Sequence, residues 1–282
     1  MFDQLLVYPL LNILVAIYHA LIFLHIPYAL GFSIVILTAL LRLVMYPMIS
    51  SQLRASKKMQ ELNPHISNLK EKHKGDNTRI HQETMKLYKE HGVNPASGCV
   101  SAIVQMGIVI WGLYPAFTKV INLDPTRAMA ELNSKIIYTD FLKLTHPWDA
   151  TFFGIPLGQN PSHLFSTLPL IALFIPLSTG ALQFIQSKMM FSKPQENKPT
   201  SAKATAGKDD FASMFQSQSM YIFPVMIGFF SYTFPIGLSL YWNTFSIFGI
   251  LQQYHITGLG GLEDWRKLWQ NKTSLSAGKE RQ

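Results

Sequence analysis

Arg42 is the only charged residue in the run from Tyr28 to Ile49, which is otherwise apolar and long enough to cross a bilayer. It stands seven residues before Ile49, about 10 Å inside the boundary at 1.5 Å rise per residue. Placing a guanidinium there costs about 2.5 to 3.5 kcal/mol on insertion scales. Two arrangements reduce that cost: the side chain snorkels to the headgroups, or it faces a water-holding interior. No Asp or Glu lies in any of the apolar runs to act as an internal counter-ion. The second arrangement makes Arg42 a fixed positive charge in a groove open to one side, an attraction for a negative group that enters. Ser33 and Thr38 on the same run, Gln105, Gln183 and Gln186 on later ones, and Asn243 and Thr244 near the end supply candidate walls. For Thr38 and Thr244 an ordinary interhelical hydrogen bond is the simpler role. Such a groove lowers the barrier for a hydrophilic segment to move partway into the membrane. An attached hydrophobic helix then slides sideways into lipid, where apolar transfer holds it.

No bond-breaking chemistry competes with this reading. The sequence has no phosphate-binding GxxxxGK[ST], no HExxH, and no spacing of serine, histidine and aspartate that suggests a nucleophile. The nine histidines are scattered, and the one cysteine, Cys99, excludes a disulfide framework or a thiolate cluster. The expectation is a non-enzyme with no cofactor, no metal and no specific DNA binding.

The elements that must position Arg42 follow from charge distribution. Of 282 residues, 48% are hydrophobic and 14% charged, against about 25% charged in soluble domains. No charge falls between Asp210 and Glu263 or between His91 and Lys119. A soluble single-domain enzyme is thereby excluded, and an all-α membrane protein is expected. Spans are expected at about 28–49, 96–118, 163–187, 214–234 and 236–256, the last two joined by a tight turn at Phe234-Pro235-Ile236-Gly237. Lysine and arginine set the orientation. Residues 50–92 carry nine of them, 188–210 five, and the tail after His255 another five, whereas 119–162 carries four against four acids. The three basic segments fall on one side, read as the cytoplasm; the N-terminus and 119–162 fall outside.

Gln4, Tyr8, Asn12 and His19 recur at nearly helical spacing in the first 27 residues. That weak polar stripe suits an amphipathic helix lying on the outer face. The first span should continue to about Leu62, with a new helix from Asn63-Pro64 and a turn at Lys74-Gly75-Asp76-Asn77. Leu62, Ile66 and Leu69 before the turn, and Ile80, Thr84, Leu87 and Tyr88 after it, form facing apolar stripes of a mobile cytoplasmic αα-hairpin over 50–92. The loop at 188–213 reads as flexible. In the basic tail, 257–282, Trp265, Leu268 and Trp269 suit a short interfacial helix. The basic segments suit either membrane lipid headgroups or ribosomal RNA.

Separated motifs then resemble one known family, the YidC/Oxa/Alb membrane protein insertases. They are Gly31-Phe32-Ser33 through Arg42-Leu43-Val44-Met45-Tyr46-Pro47, Gln60-Glu61-Leu62-Asn63-Pro64, Tyr88-Lys89-Glu90-His91-Gly92-Val93-Asn94-Pro95, and Gly98-Cys99 with Gln105-Met106. Phe184 to Met190, Phe234 to Asn243 and Gln252-Gln253-Tyr254 complete the set, in order over about residues 28–256. The resemblance implies a five-transmembrane-helix insertase core with an N-terminal amphipathic helix and a cytoplasmic αα-hairpin. It implies a groove closed to the outside in which Arg42 meets acidic residues of a client, bordered by Gln186 and Trp242, with the hairpin receiving clients. Nascent membrane proteins are the implied partners, with the Sec translocon as a further one and a bacterial inner membrane as the location. The chain departs from the family in having Val100-Ser101 after Gly98-Cys99 and Gly107 after Gln-Met, where proline is usual, and in lacking an N-terminal cysteine for lipid attachment, so an uncleaved N-terminus is expected. A small-solute transporter or channel would call for inverted repeats, and no internal symmetry is evident; a passive assembly scaffold would need no wet charge.

Overall fold

Apolar runs free of charge but rich in leucine, isoleucine and phenylalanine satisfy their backbone groups internally by forming helices, and helices dominate this chain. The computed structural model describes residues 3–73, 75–94, 103–105, 107–120, 124–190 and 208–263, with the side chains of 120 and 208–219 outside the description. The first part of the second expected span, the Gly98-Cys99 pair, Met106, most of the expected 188–213 loop, and Trp265, Leu268 and Trp269 lie outside the described residues.

A π-helical turn, Asp3–Val7, leads into α1 (Tyr8–Phe23), followed by α2 (Ala29–Val44), α3 (Tyr46–Lys72) and α4 (Asn77–Glu90). A second π-helical turn, Ile108–Leu113, runs into α5 (Tyr114–Val120), and α6 (Pro125–Glu131) follows. A two-stranded antiparallel ribbon of β1 (Thr151–Phe152) and β2 (Ile155–Pro156) precedes α7 (Pro161–Leu164), α8 (Pro169–Met190), α9 (Lys208–Thr233) and α10 (Ile236–Thr257). By length and composition Asp3–Phe23 and Pro169–Met190 can each cross a bilayer, and a third crossing results if α2 and α3 form one span.

Three boundaries differ from the sequence expectation. The first expected span is interrupted at Met45, two residues before Pro47, whose missing N–H and ring favour the first turn of a new helix. That helix then continues through Pro64 to Lys72 without restarting at Asn63. The expected start at residue 163 divides into the short α7 and a separate α8 from Pro169. The expected turn at 234–237 is present, and of the one expected at 74–77 residues 75–77 are described and lead into α4. Gly75 has φ +94° and the Asp76 carboxylate accepts from the Arg79 N–H at 2.9 Å, an N-cap for α4. At the other reversal, the Ile236 and Gly237 N–H groups that open α10 donate to the carbonyls of Gln159 and Leu157 at 2.9 and 2.8 Å.

The chain divides into two compact units. One comprises residues 1–47, 100–182 and 225–248. Its core holds Leu10, Leu11, Leu14, Val15, Tyr18 and Leu21 of α1 together with Leu30, Ile34 and Leu37 of α2. Between these helices Leu24 to Tyr28 turn sharply: His25 takes φ +56° and the His25 and Ile26 N–H groups bond back to Ile22 and Leu21, closing α1 with a Schellman motif. The β-ribbon packs on α2 through Phe152, whose ring lies over Gly31. A Cβ at Gly31 would come within 2.0 Å of that ring, so only glycine permits this contact. Tyr28, Phe32, Phe152 and Phe153 form an aromatic cluster there, edge-to-face except for the tilted Tyr28–Phe153 pair, with ring centroids 4.7 to 6.3 Å apart.

Two residues of the first helix's polar stripe, Asn12 and His19, bond to the segment after α6. Asn12 is buried; its Nδ2 donates to the carbonyls of Tyr8 and Ile136 at 2.8 and 2.9 Å, and its Oδ1 accepts from the Tyr138 N–H at 3.0 Å. His19 Nε2 lies 3.1 Å from the Leu142 carbonyl, and Asp3 pairs with Lys119 at 2.7 Å. Asp3, Asn12 and His19 together fasten the 119–162 segment to the first helix.

The other unit comprises residues 48–99, 183–224 and 249–282. Its buried apolar residues include Ile49, Leu53 and Leu62 of α3, Ile80 of α4, Val93 and Met189. After α4, Gly92 at φ +65° permits the Val93 N–H to reach the Tyr88 carbonyl at 2.8 Å, a second Schellman closure.

Candidate functional site

Ser33, Thr38 and Arg42 are all buried on α2 and face the interior of the first unit. The two hydroxyls donate to carbonyls four residues back, Ser33 to Ala29 and Thr38 to Ile34, each at 2.7 Å. Their protons are therefore committed to their own helix. Arg42 is 5% exposed. Its Nη2 donates to the Phe245 carbonyl at 2.9 Å, and its guanidinium carbon lies 3.7 Å from the centroid of the Phe245 ring. A desolvated cation over an aromatic face gains about 2 kcal/mol. Phe245 in turn packs on Tyr241, and Tyr241 on Phe117, with centroids 5.7 and 6.3 Å apart. An aromatic column thus backs the charge and fixes its direction, and a guanidinium keeps its proton under all ordinary conditions.

The remaining expected residues divide. Trp242 is half-buried and stacks on Phe234, which stacks on Phe230. Asn243 is half-buried, and its buried Oδ1 accepts no hydrogen bond among the described residues. Asn243 and Ser239 are the polar residues lining a cavity of about 110 Å³ otherwise walled by Phe152, Ile155, Leu157, Ile175, Ile236 and Leu240. That is room for a few water molecules at about 30 Å³ each. Gln105 is half-buried. Gln183 and Gln186 belong to the second unit and are half-buried within it. Leu62 and Ile80 are buried, whereas Ile66, Leu69, Leu87 and Tyr88 are half-buried. Burial pushes the Tyr88 phenol above its ordinary value.

Sequence reasoning misses a second polar feature. Thr179, Ser231 and Ser239 are each at most 1% exposed and form a hydroxyl chain across α8, α9 and α10, with oxygens 3.0 and 2.9 Å apart. Beside it Gly228 approaches Gly180 closely, so small residues let the backbones meet. The available signal is the recurrence of Ser, Thr and Gly within uncharged runs. Among the described residues no group of three His, Cys, Asp or Glu could hold a metal ion.

The outer faces are apolar. Leu170, Leu173, Phe174 and Leu177 of α8 recur at 3,4 spacing and are all exposed, as are Leu40, Leu43 and Val44 at the end of α2. Continuous exposed stripes of this kind suit lipid.

A family model described as 60Kd inner membrane protein matches residues 21–260. Membrane protein insertase YidC of Fusobacterium nucleatum is 31% identical, over 82% of this chain and 87% of that protein. Membrane protein insertase MisCA of Bacillus subtilis is also 31% identical, over 81% of this chain and 70% of its own length. Inner membrane protein ALBINO3 of the Arabidopsis thaliana chloroplast is 29% identical over 84% of this chain, which spans 48% of that longer protein.

Proposed function

The chain belongs to the YidC/Oxa/Alb family, and from that membership we infer that it is a membrane protein insertase, as relatives alignable over four fifths of its length are named. The substrates are nascent membrane proteins. In the proposed mechanism Arg42 attracts an acidic or carboxylate-bearing leading segment of the client, and the hydrophobic segment behind it leaves sideways into lipid. The single observation supporting this is the placement of Arg42: buried at 5% exposure inside its unit and held against the carbonyl and ring of Phe245. Ser33, Thr38, Gln105, Gln183, Gln186, Trp242 and Asn243 border the path in this reading. The α3–α4 pair receives clients through Leu62, Ile66, Leu69, Ile80, Leu87 and Tyr88.

Five spans, an outer N-terminus, an inner C-terminus and a bacterial inner membrane complete the proposal, with the Sec translocon, the ribosome and membrane lipids as partners. The step is a transfer between solvents and needs no nucleotide chemistry. Its test is insertion of a short acidic-tailed client into liposomes containing only this protein. Arg42→Ala should reduce insertion of such clients about ten-fold, the equivalent of about 1.4 kcal/mol of lost attraction, while Arg42→Lys retains most of it. Equal insertion by all three proteins for every client tried would remove the charge from the mechanism.

A further inference from the structure

Among the described residues three that are not glycine have positive φ: His25 and Tyr28 at +56° and Phe153 at +51°. They gather at one place in the first unit. His25 and Tyr28 belong to the connection between α1 and α2, and the Phe153 ring lies 4.9 Å from that of Tyr28. Each stands where the backbone favours another residue. Glycine or asparagine usually closes a helix at the position His25 holds. Ser, Thr, Asp or Asn usually opens one at the position of Tyr28, which makes no side-chain cap. Phe153-Gly154 is the whole loop between the paired Phe152 and Ile155, and positive φ at both residues (+51° and +79°) makes it a type I′ turn, whose first position favours asparagine. A bulky side chain in the left-handed region is strained. Strain of this kind collects where a surface binds something.

The side chains held there are apolar and bare. Tyr28, Phe32 and Phe152 support the Phe153 ring from one side, yet Phe153 stays 65% exposed, and Phe23 and Leu24 just before the α1–α2 connection are 82% and 63% exposed. The composition of the patch identifies its cover. Protein interfaces carry a polar rim around an apolar centre, whereas no charged residue falls between Asp3 and Arg42, and Asp149 is the one charge from Leu144 to Ser187. Its carboxylate accepts from the Thr151 N–H at 3.0 Å. On α1 the exposed residues Ile13, Ala16, Ala20 and Phe23 recur at 3,4,3 spacing, so the patch continues a lipid-suited stripe past the end of its helix. The depth follows from the backbone. A two-residue turn leaves the polar groups of its central peptides outside the ladder, and hydrocarbon does not tolerate them. Bare rings need apolar cover and turn peptides need water, and only the boundary between headgroups and acyl chains offers both.

We propose that the β1–β2 turn and the end of α1 form one interfacial anchor, in which Phe153, Phe23 and Leu24 enter the lipid at the headgroup–acyl boundary while the turn backbone stays in water. The anchor goes beyond the insertase reading and depends only on the chain lying in a bilayer. The test uses the full chain with Cys99→Ser, carrying the same environment-sensitive fluorophore on a single new cysteine and reconstituted into liposomes of phospholipid alone. Phe153→Cys and Leu24→Cys place the fluorophore in the patch. Glu71→Cys, exposed between Lys70 and Lys72, is the aqueous reference. Both patch positions should lose most of their emission to lipid carrying a nitroxide near the acyl ester, less to a nitroxide at mid-chain, and little to aqueous iodide, with the reverse order at Glu71. The ring is tested separately. In the protein labelled at Leu24, Phe153→Asn suits the left-handed turn and keeps its fold, yet it should raise iodide quenching at Leu24, while Phe153→Trp should not. Patch positions quenched by iodide as strongly as Glu71 would overturn the assignment and point to a protein cover. Strongest quenching from mid-chain would overturn it as well, placing the patch within the hydrocarbon, and an unchanged Leu24 signal in Phe153→Asn would remove the ring from the anchor.

Discussion

At the level of single side chains, the molecule combines one cation with neutral groups that hold it still. The carbonyl and ring of Phe245 both address Arg42 and fix its direction; under the proposed mechanism that would reduce the ordering cost of client binding. Arg42 is legible in the sequence because a charge in an apolar run is costly wherever it points. Phe245 is not, because 19 phenylalanines are present and spacing does not say which faces the arginine. Gly31 and Asn12 carry comparable structural weight. Gly31→Ala puts a methyl group 2.0 Å from the Phe152 ring, and overpacking of this kind costs about 1 to 3 kcal/mol; the thermal midpoint of the detergent-solubilised protein should fall accordingly. Asn12→Leu leaves the Ile136 carbonyl and the Tyr138 N–H without their partner. At about 1 to 3 kcal/mol per orphaned group, amide exchange across 124–144 should rise while that of α8 stays unchanged.

Among the elements, hydrophobic run length matches α10 to within a residue, whereas α2, α8 and α9 each begin or end about five or six residues away from the expected bounds. Pro64 lies inside a continuous helix and Pro47 in the first turn of one, although both are proline in similar apolar-to-polar transitions. The hydroxyl chain Thr179, Ser231, Ser239 escapes sequence reading since each residue alone is compatible with any helix face. For α4 the burial of Tyr88 sets a pH response. The folded-state pKa is raised, so above the ordinary tyrosine value of about 10 the unfolded segment holds fewer protons than the folded one. Stability of that segment is full below this pH and declines above it. Circular dichroism of the full-length protein should show helix loss beginning above about pH 10, and Tyr88→Phe should delay it. Shortening the α3–α4 pair by removing residues 62–88 should impair client delivery while the protein stays in the membrane fraction. Unchanged insertion of every client would exclude a receiving role.

For the molecule as a whole, the sequence specifies solvent more firmly than arrangement. The scarcity of charge identifies lipid as the medium, and the exposed stripe of α8 is what that medium requires. Which polar residues meet is set by long-range packing, and Asn12 is the clearest case, since its Oδ1 partner lies 126 residues later in the chain. Synthesis at about 5 to 20 residues per second separates the two by roughly 6 to 25 s. Throughout that interval the amide of the first helix waits in a half-built molecule, and the loop that will satisfy it has still to be made and carried to its place. A newborn copy therefore passes through the same predicament as the membrane proteins that an insertase serves.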